Sequence, residues 1–226
     1  MGYIFYFILI MVGPLLVQMY LRSTYSKYLR VPASSGLTGA EAARRILNEN
    51  GLYDVRVEEV GGSLSDHYDP SSRTVRLSSA NYHGTSIASI SVANHEVGHC
   101  LQHKNGYLPL NIRHALVPVA NIGSNFSFIL IFIGLILSSA NLLLLGIIAM
   151  AAAVLFQVVT LPVEFNASSR ALKVMVNSEL IRNDERYEAK RVLNAAALTY
   201  VAATAVAVAE LLRFVLMFIG MRNDRD

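Results

Sequence analysis

The sequence predicts a mainly α-helical membrane protein with about four transmembrane helices and one small α+β domain facing water. Three observations lead there. The 226 residues carry 19 Lys+Arg and 16 Asp+Glu, or 15% charged, against about 25% in soluble domains. Those charges are clumped, with none in Met1–Leu21 and none in the 50 residues His114–Val163. One crossing takes about 20 apolar residues, so the first span accommodates one and the second accommodates two. Between them, Arg22–Arg113 holds 18 charges in 92 residues, the composition of a water-facing domain. A water-soluble globule is excluded.

Residues 1–21 read as a retained anchor helix, kinked at Gly13-Pro14. A cleavable signal peptide wants a basic start and a small-residue cleavage site. This segment has no Lys or Arg, and Gln18-Met19-Tyr20-Leu21 is a poor site. Arg22, Lys27 and Arg30 follow at once, which places that end in the cytoplasm.

Residues 22–113 form the predicted cytoplasmic α+β domain. Thr38-Gly-Ala-Glu41 has capping-box spacing and opens a short amphipathic helix that Gly51 closes. Val55–Val60 and Thr74–Leu77 are β-like but short, enough for a small hairpin or a sheet edge. Thr85–His103 returns to a helical period through Ile87, Ile90, Val97 and Leu101, and Gly106 ends it. Residues 114–161 read as a transmembrane hairpin, Leu116–Leu137 and Leu142–Leu161, broken at Ser138-Ser139-Ala140-Asn141. Residues 162–194 read as a cytoplasmic helical segment that begins near Glu164. Residues 195–226 are a fourth crossing and a short tail, with Glu210 and Arg213 spaced to pair on one helix face. Two crossings separate the two basic segments, so both lie on one side, and charge assigns that side to the cytoplasm of a multi-pass cell-membrane protein.

Composition narrows the chemistry. One cysteine excludes a disulfide framework and a Cys-rich zinc finger. The net charge of +3 belongs mostly to segments flanking apolar runs, so nucleic acid is not an expected partner. The lipid bilayer is.

His95-Glu96-Val97-Gly98-His99 is HExxH on the segment already read as helical. Four residues put the two imidazoles one turn apart on one face, close enough to share one zinc ion. Glu96 lies about 100° round the helix from His95, past the metal, where it is placed to deprotonate a zinc-activated water. A catalytic zinc needs a third protein ligand. His103 lies about 12 Å up a straight helix from His95 and cannot supply it. A metzincin needs Gly at 102 and His at 105, and these are Gln102 and Asn105. A site-2-type protease needs an Asp-Gly pair, and the chain has none. Glu164 is the first charge after the hairpin returns, and Pro162 suits a helix start. The same position also suits a carboxylate that merely caps a helix. His67, His83 and Glu179 are competing candidates. Cys100 reads as a small core residue.

Asp66-His-Tyr-Asp-Pro70, Thr74-Val-Arg-Leu-Ser78, Ala93-Asn-His-Glu-Val-Gly-His99 and Leu161-Pro-Val-Glu-Phe-Asn-Ala167 together resemble the YugP-like neutral membrane zinc metallopeptidase family. Leu116–Asn121 and Leu198–Ala202 extend the likeness over nearly the whole chain. The resemblance implies one zinc per chain, His95 and His99 as ligands, Glu96 as catalytic base and Glu164 as third ligand. Glu164-x-x-Ala167 with Ala171 is more distantly similar to integral-membrane gluzincins of the heat-shock and CAAX-processing type. The α+β domain is therefore expected to be gluzincin-like. Those relatives have Asp where this chain has Ser168, which leaves Asn166 as a residue that would orient a ligand histidine. Arg170, His83 and Tyr82 are candidates to stabilise the oxyanion of a tetrahedral intermediate.

The function expected is a zinc-dependent endopeptidase at the cytoplasmic face, acting on extended or unfolded polypeptide, with a role in membrane-protein quality control. Gluzincin-type binding predicts that Thr74–Leu77 offers a free edge to which substrate adds as a strand. The alternative is a catalytically inactive zinc-binding scaffold or chaperone-like assembly factor. A zinc transporter is disfavoured, because between Arg113 and Glu164 only His114, at the very edge, is a candidate ligand.

Overall fold

The structure, a computed structural model, describes residues 6–223. Met1–Phe5, the start of the expected anchor, lie outside the described residues. A π-helical turn, Ile8–Val12, runs directly into α1 (Gly13–Tyr28). Pro14 has no N–H for the helical ladder and its ring crowds the preceding turn. The chain answers by widening that turn, with the Gly13 N–H bonded back to the Ile8 carbonyl. The helix then passes Leu21 without a break, so Arg22 and Lys27 stand on it too.

α2 (Gly39–Glu49) begins with the expected capping box: the Glu41 N–H donates to Thr38 Oγ1 and the Thr38 N–H to Glu41 Oε2. Gly51, at φ +69°, closes it. The sheet departs from the simple hairpin expected. β1 (Arg56–Val60), β2 (His67–Asp69) and β3 (Thr74–Ser78) lie in the order β1-β3-β2. β1 pairs with β3 in parallel, Arg56 opposite Thr74, and β2 pairs antiparallel, Tyr68 opposite Val75. A parallel pair needs a long return, and the thirteen residues between β1 and β3 supply it while folding β2 onto the far side. β2 is too short and polar to announce itself. The β2–β3 turn is held by Asp69, whose carboxylate accepts from the Ser71 N–H, the Ser71 and Ser72 hydroxyls and Arg76. These bonds hold its carboxyl well below the usual range.

β3 is therefore the central strand. Val75 and Leu77 are fully buried, and neither edge of β3 is free over Thr74–Arg76, which corrects the expectation of an open edge there. The exposed edges of this sheet belong to β1 and β2.

α3 (Ser79–Tyr82) and α4 (Ile87–Lys104) follow. The Ser86 side chain caps α4, accepting from the Ser89 N–H, and fourteen of its 18 residues are buried. It is the central helix of the domain rather than a surface one. Ile87, Ile90, Ala93 and Val97 share a core with Ala42, Ala43, Ile46 and Leu47 of α2 and with β3. A polar network ties α1 to the sheet: Tyr25 donates to Asn81 Oδ1, Asn81 donates to Asp66 Oδ2, and Asp66 accepts the Ser78 N–H.

Three long helices complete the chain: α5 (Leu108–Ile136), α6 (Ala140–Asn177) and α7 (Arg186–Asn223). Each is long and apolar enough to cross a membrane; among the described residues the expected N-terminal span does not meet that standard. The hairpin break falls at Ser138, as expected, with φ +48°. Gly123 and Gly146 let α5 and α6 touch: a Cβ on Gly123 would lie 2.3 Å from the Ala149 carbonyl oxygen. Glu210 accepts hydrogen bonds from Arg213, at 2.6 Å, and from Tyr6.

The expected helix start at Glu164 is corrected. α6 runs straight through Pro162, and Glu164 lies well inside it. A proline removes one N–H but does not end a helix whose neighbours continue to favour it. The expected segment 162–194 is thus the end of α6, a turn and the start of α7.

The chain forms two compact units. Among the described residues, one contains 6–16, 108–162 and 200–223, and the other contains 17–107 and 163–199. The second unit holds the sheet, α2, α4 and the charged end of α6.

Candidate metal centre

α4 carries His95 and His99 one turn apart, their rings 4.9 Å between centroids and nearly perpendicular. The carboxylate facing them comes from α6. Glu164 Oε2 lies 3.2 Å from His95 Nε2 and 3.6 Å from His99 Nε2. Glu164 is 2% exposed, and both histidines are largely buried. One donor atom from each residue lies within 4.8 Å of the others. Among the described residues this is the one group of three His, Cys, Asp or Glu so disposed.

The donor set fits zinc. Tetrahedral ligands at 2.0–2.1 Å stand roughly 3.3 Å apart, and the separations of Glu164 from the two histidines, 3.2 and 3.6 Å, bracket that value. Two imidazoles and one carboxylate also leave the fourth position open, as a catalytic rather than a structural site requires.

The close approach of α4 and α6 depends on Gly98. A Cβ there would fall 2.5 Å from the Ala167 carbonyl oxygen, a backbone atom that cannot swing aside. The second variable position of HExxH is thus a glycine because another helix backbone occupies its side-chain space.

The remaining imidazole nitrogens are also occupied. Ser168 Oγ lies 3.2 Å from His95 Nδ1. His99 Nδ1 lies 3.0 Å from Gln102 Oε1. Gln102 Nε2 donates to the Val163 carbonyl, at 2.7 Å, and to Asn166 Oδ1, at 3.1 Å. Asn166 Oδ1 also accepts from Arg170 Nε at 2.7 Å, and the guanidinium stacks over Tyr107. Burial works against a charged His99, but hydrogen bonding to Glu164 and the field of Glu96 outweigh it and raise its pKa.

Glu96 is buried beside these residues on α4. Asn166, expected to orient a ligand histidine, meets Gln102 and Arg170 rather than an imidazole. Arg170 is engaged with Asn166 and Tyr107. His83 binds Glu59 at 3.1 Å in an exposed position and stacks edge-on with Tyr82, so neither is brought to the cluster. His67 bonds the Ser65 carbonyl, His103 meets the Tyr68 hydroxyl, and Glu179 lies in the turn after α6. None of the rival ligands joins the centre. Burial pushes the Cys100 thiol up, as befits a core residue. Sequence reasoning missed Gln102 and Ser168; the signal for Gln102 was its place three residues after His99, on the same helix face.

An HExxH helix and a buried glutamate from a second helix, in a chain with three membrane-length apolar helices, define the class as a membrane protein with a metallopeptidase-type centre. The family described as "putative neutral zinc metallopeptidase" matches residues 3–219, and the chain belongs to it. The chain is also similar to the "Putative membrane protease YugP" of Bacillus subtilis (strain 168), 56% identical over 207 residues, covering 92% of each. No solved structure matches.

Proposed function

We propose that the protein is a membrane-bound zinc-dependent endopeptidase that hydrolyses peptide bonds at the cytoplasmic face. The observation that carries this reading is the geometry of the centre: His95, His99 and Glu164 converge at zinc-ligand spacing, with Glu96 one residue from His95 on the same helix. Membership of the family supports it.

His95 Nε2, His99 Nε2 and the Glu164 carboxylate would hold the ion. Zinc bound there supplies a Lewis acid for the scissile carbonyl and lowers the pKa of an attacking water toward about 7. Glu96 acts as general base: its carboxylate takes the proton of the attacking water and returns it to the leaving amide nitrogen as the C–N bond breaks. Burial of Glu164 and the flanking histidines excludes bulk water and fixes their orientation. Arg170, His83 and Tyr82 take no part in oxyanion stabilisation in this reading, since each has a different partner.

Substrate is an extended polypeptide segment. β2 is the exposed sheet edge that packs beside α4, through Tyr68 and His103, and it offers main-chain groups to such a segment. Glu164 follows the uncharged run His114–Val163 by one residue, which suits substrates that are membrane proteins with unfolded cytoplasmic parts, and hence quality control.

Cleavage of an unfolded protein such as casein by the detergent-purified chain, compared with Glu96→Gln, tests the proposal. The expected result is wild-type cleavage and a loss of at least 1,000-fold in the variant, with zinc content unchanged, on the order of a missing general base and more. Equal rates would remove Glu96 from the chemistry. Zinc retained by both with cleavage by neither would favour the scaffold reading.

A further inference from the structure

We propose that Gln102 is a positioning residue that fixes the tautomer of His99, and that Arg170 and Asn166 set the direction of its amide. The inference rests on the zinc reading of the centre and adds to it how one ligand is prepared.

The argument is one of donors and acceptors. An arginine side chain only donates, so the Asn166 atom that meets Arg170 Nε at 2.7 Å is the carbonyl oxygen. That oxygen, now oriented, is an acceptor for Gln102 at 3.1 Å, and the Val163 main-chain carbonyl is a second acceptor at 2.7 Å. Both can be satisfied only by the Gln102 amide nitrogen, whose two protons are then used. Gln102 Oε1 is left facing His99 Nδ1 at 3.0 Å, and an oxygen without a proton requires Nδ1 to carry one. The neutral ring then has its lone pair on Nε2, the atom turned toward Glu164.

Two fixed groups, a guanidinium and a helix carbonyl, thus dictate which nitrogen of His99 is free to bind a metal. Gln102 is fully buried, so no water competes for these bonds. His95 is held differently. Its Nδ1 meets the Ser168 hydroxyl, which rotates to donate or accept and selects no tautomer by itself. The two ligands are therefore unequally prepared, with His99 the one pre-set for the ion.

The test is zinc affinity, measured by chelator competition on the detergent-purified full chain, for wild type, Gln102→Met and Gln102→Glu. Methionine fills nearly the same volume and removes the acceptor. Glutamate keeps an oxygen for Nδ1–H; its other oxygen faces the Val163 and Asn166 carbonyl oxygens and, carrying a proton, donates to one of them while the other loses its partner. The expected result is a 10- to 100-fold weaker zinc complex for Gln102→Met, the usual effect of removing such a partner, with clear recovery in Gln102→Glu. Thermal unfolding of the metal-free forms shows whether each variant folds. Gln102→Met binding zinc as tightly as wild type, or Gln102→Glu binding as weakly as Gln102→Met while folded, would overturn the proposal. A wild type that binds no zinc would instead overturn the zinc reading, and this inference with it.

Discussion

Gly98, more than either histidine, shows how tightly the centre is specified. The ligands can be drawn on any helix, but Glu164 reaches them only because the α6 backbone passes where a side chain on residue 98 would stand. Gly98→Ala forces a methyl against the Ala167 carbonyl. Overpacking of this kind costs about 1–3 kcal/mol, and the relief available is to push α6 away from α4. The expected outcome is a lower melting temperature together with at least tenfold weaker zinc binding; calorimetry and chelator competition check the two. At this scale His95, Glu96 and His99 were legible in the sequence, because their chemistry depends on helical spacing alone. Glu164 was legible only as one candidate among several, since 69 residues separate it from His95. Gln102 was signalled only by its place three residues after His99, and Ser168, which meets His95 from another helix, by no local spacing at all.

Among the elements, α2 and α4 followed their local signals closely. The Thr38–Glu41 capping box is present as spaced, and Thr38→Ala is expected to cost about 1 kcal/mol, read as a shift in denaturant midpoint without loss of zinc. The sheet and α6 were harder. Nothing local distinguishes a parallel pair closed by a third strand from a hairpin, because register across β1 and β3 is set by burial of Val75 and Leu77 against the helices. Proline in β3 would remove a ladder N–H from the central strand and destabilise the sheet. In α6, Pro162 read locally as a start. The helix continues because Val163, Ala167 and Ala171 pack fully buried on the following turns, a tertiary contribution that outweighs one missing hydrogen bond.

For the whole molecule, the charge pattern and the three long helices agree on a membrane protein, while the side on which the centre lies rests on the distribution of Lys and Arg. That assignment is directly testable. In a Cys100→Ser background, a cysteine at Ser71, exposed in the β2–β3 turn, is expected to resist a membrane-impermeant maleimide in intact cells and to react after lysis. A cysteine at Ser138, in the α5–α6 turn, is expected to react without lysis. The reverse pattern would move the centre to the outer face and remove cytoplasmic segments as its substrates.

In the proposed function, three residues from two helices hold one zinc ion for hydrolysis. The measurement that tests it most directly is zinc per chain, by elemental analysis of the detergent-purified wild type, Glu96→Gln and Glu164→Ala. The predicted result is one zinc in wild type and in Glu96→Gln and little in Glu164→Ala. Zinc absent from wild type, or fully retained by Glu164→Ala, would contradict the account.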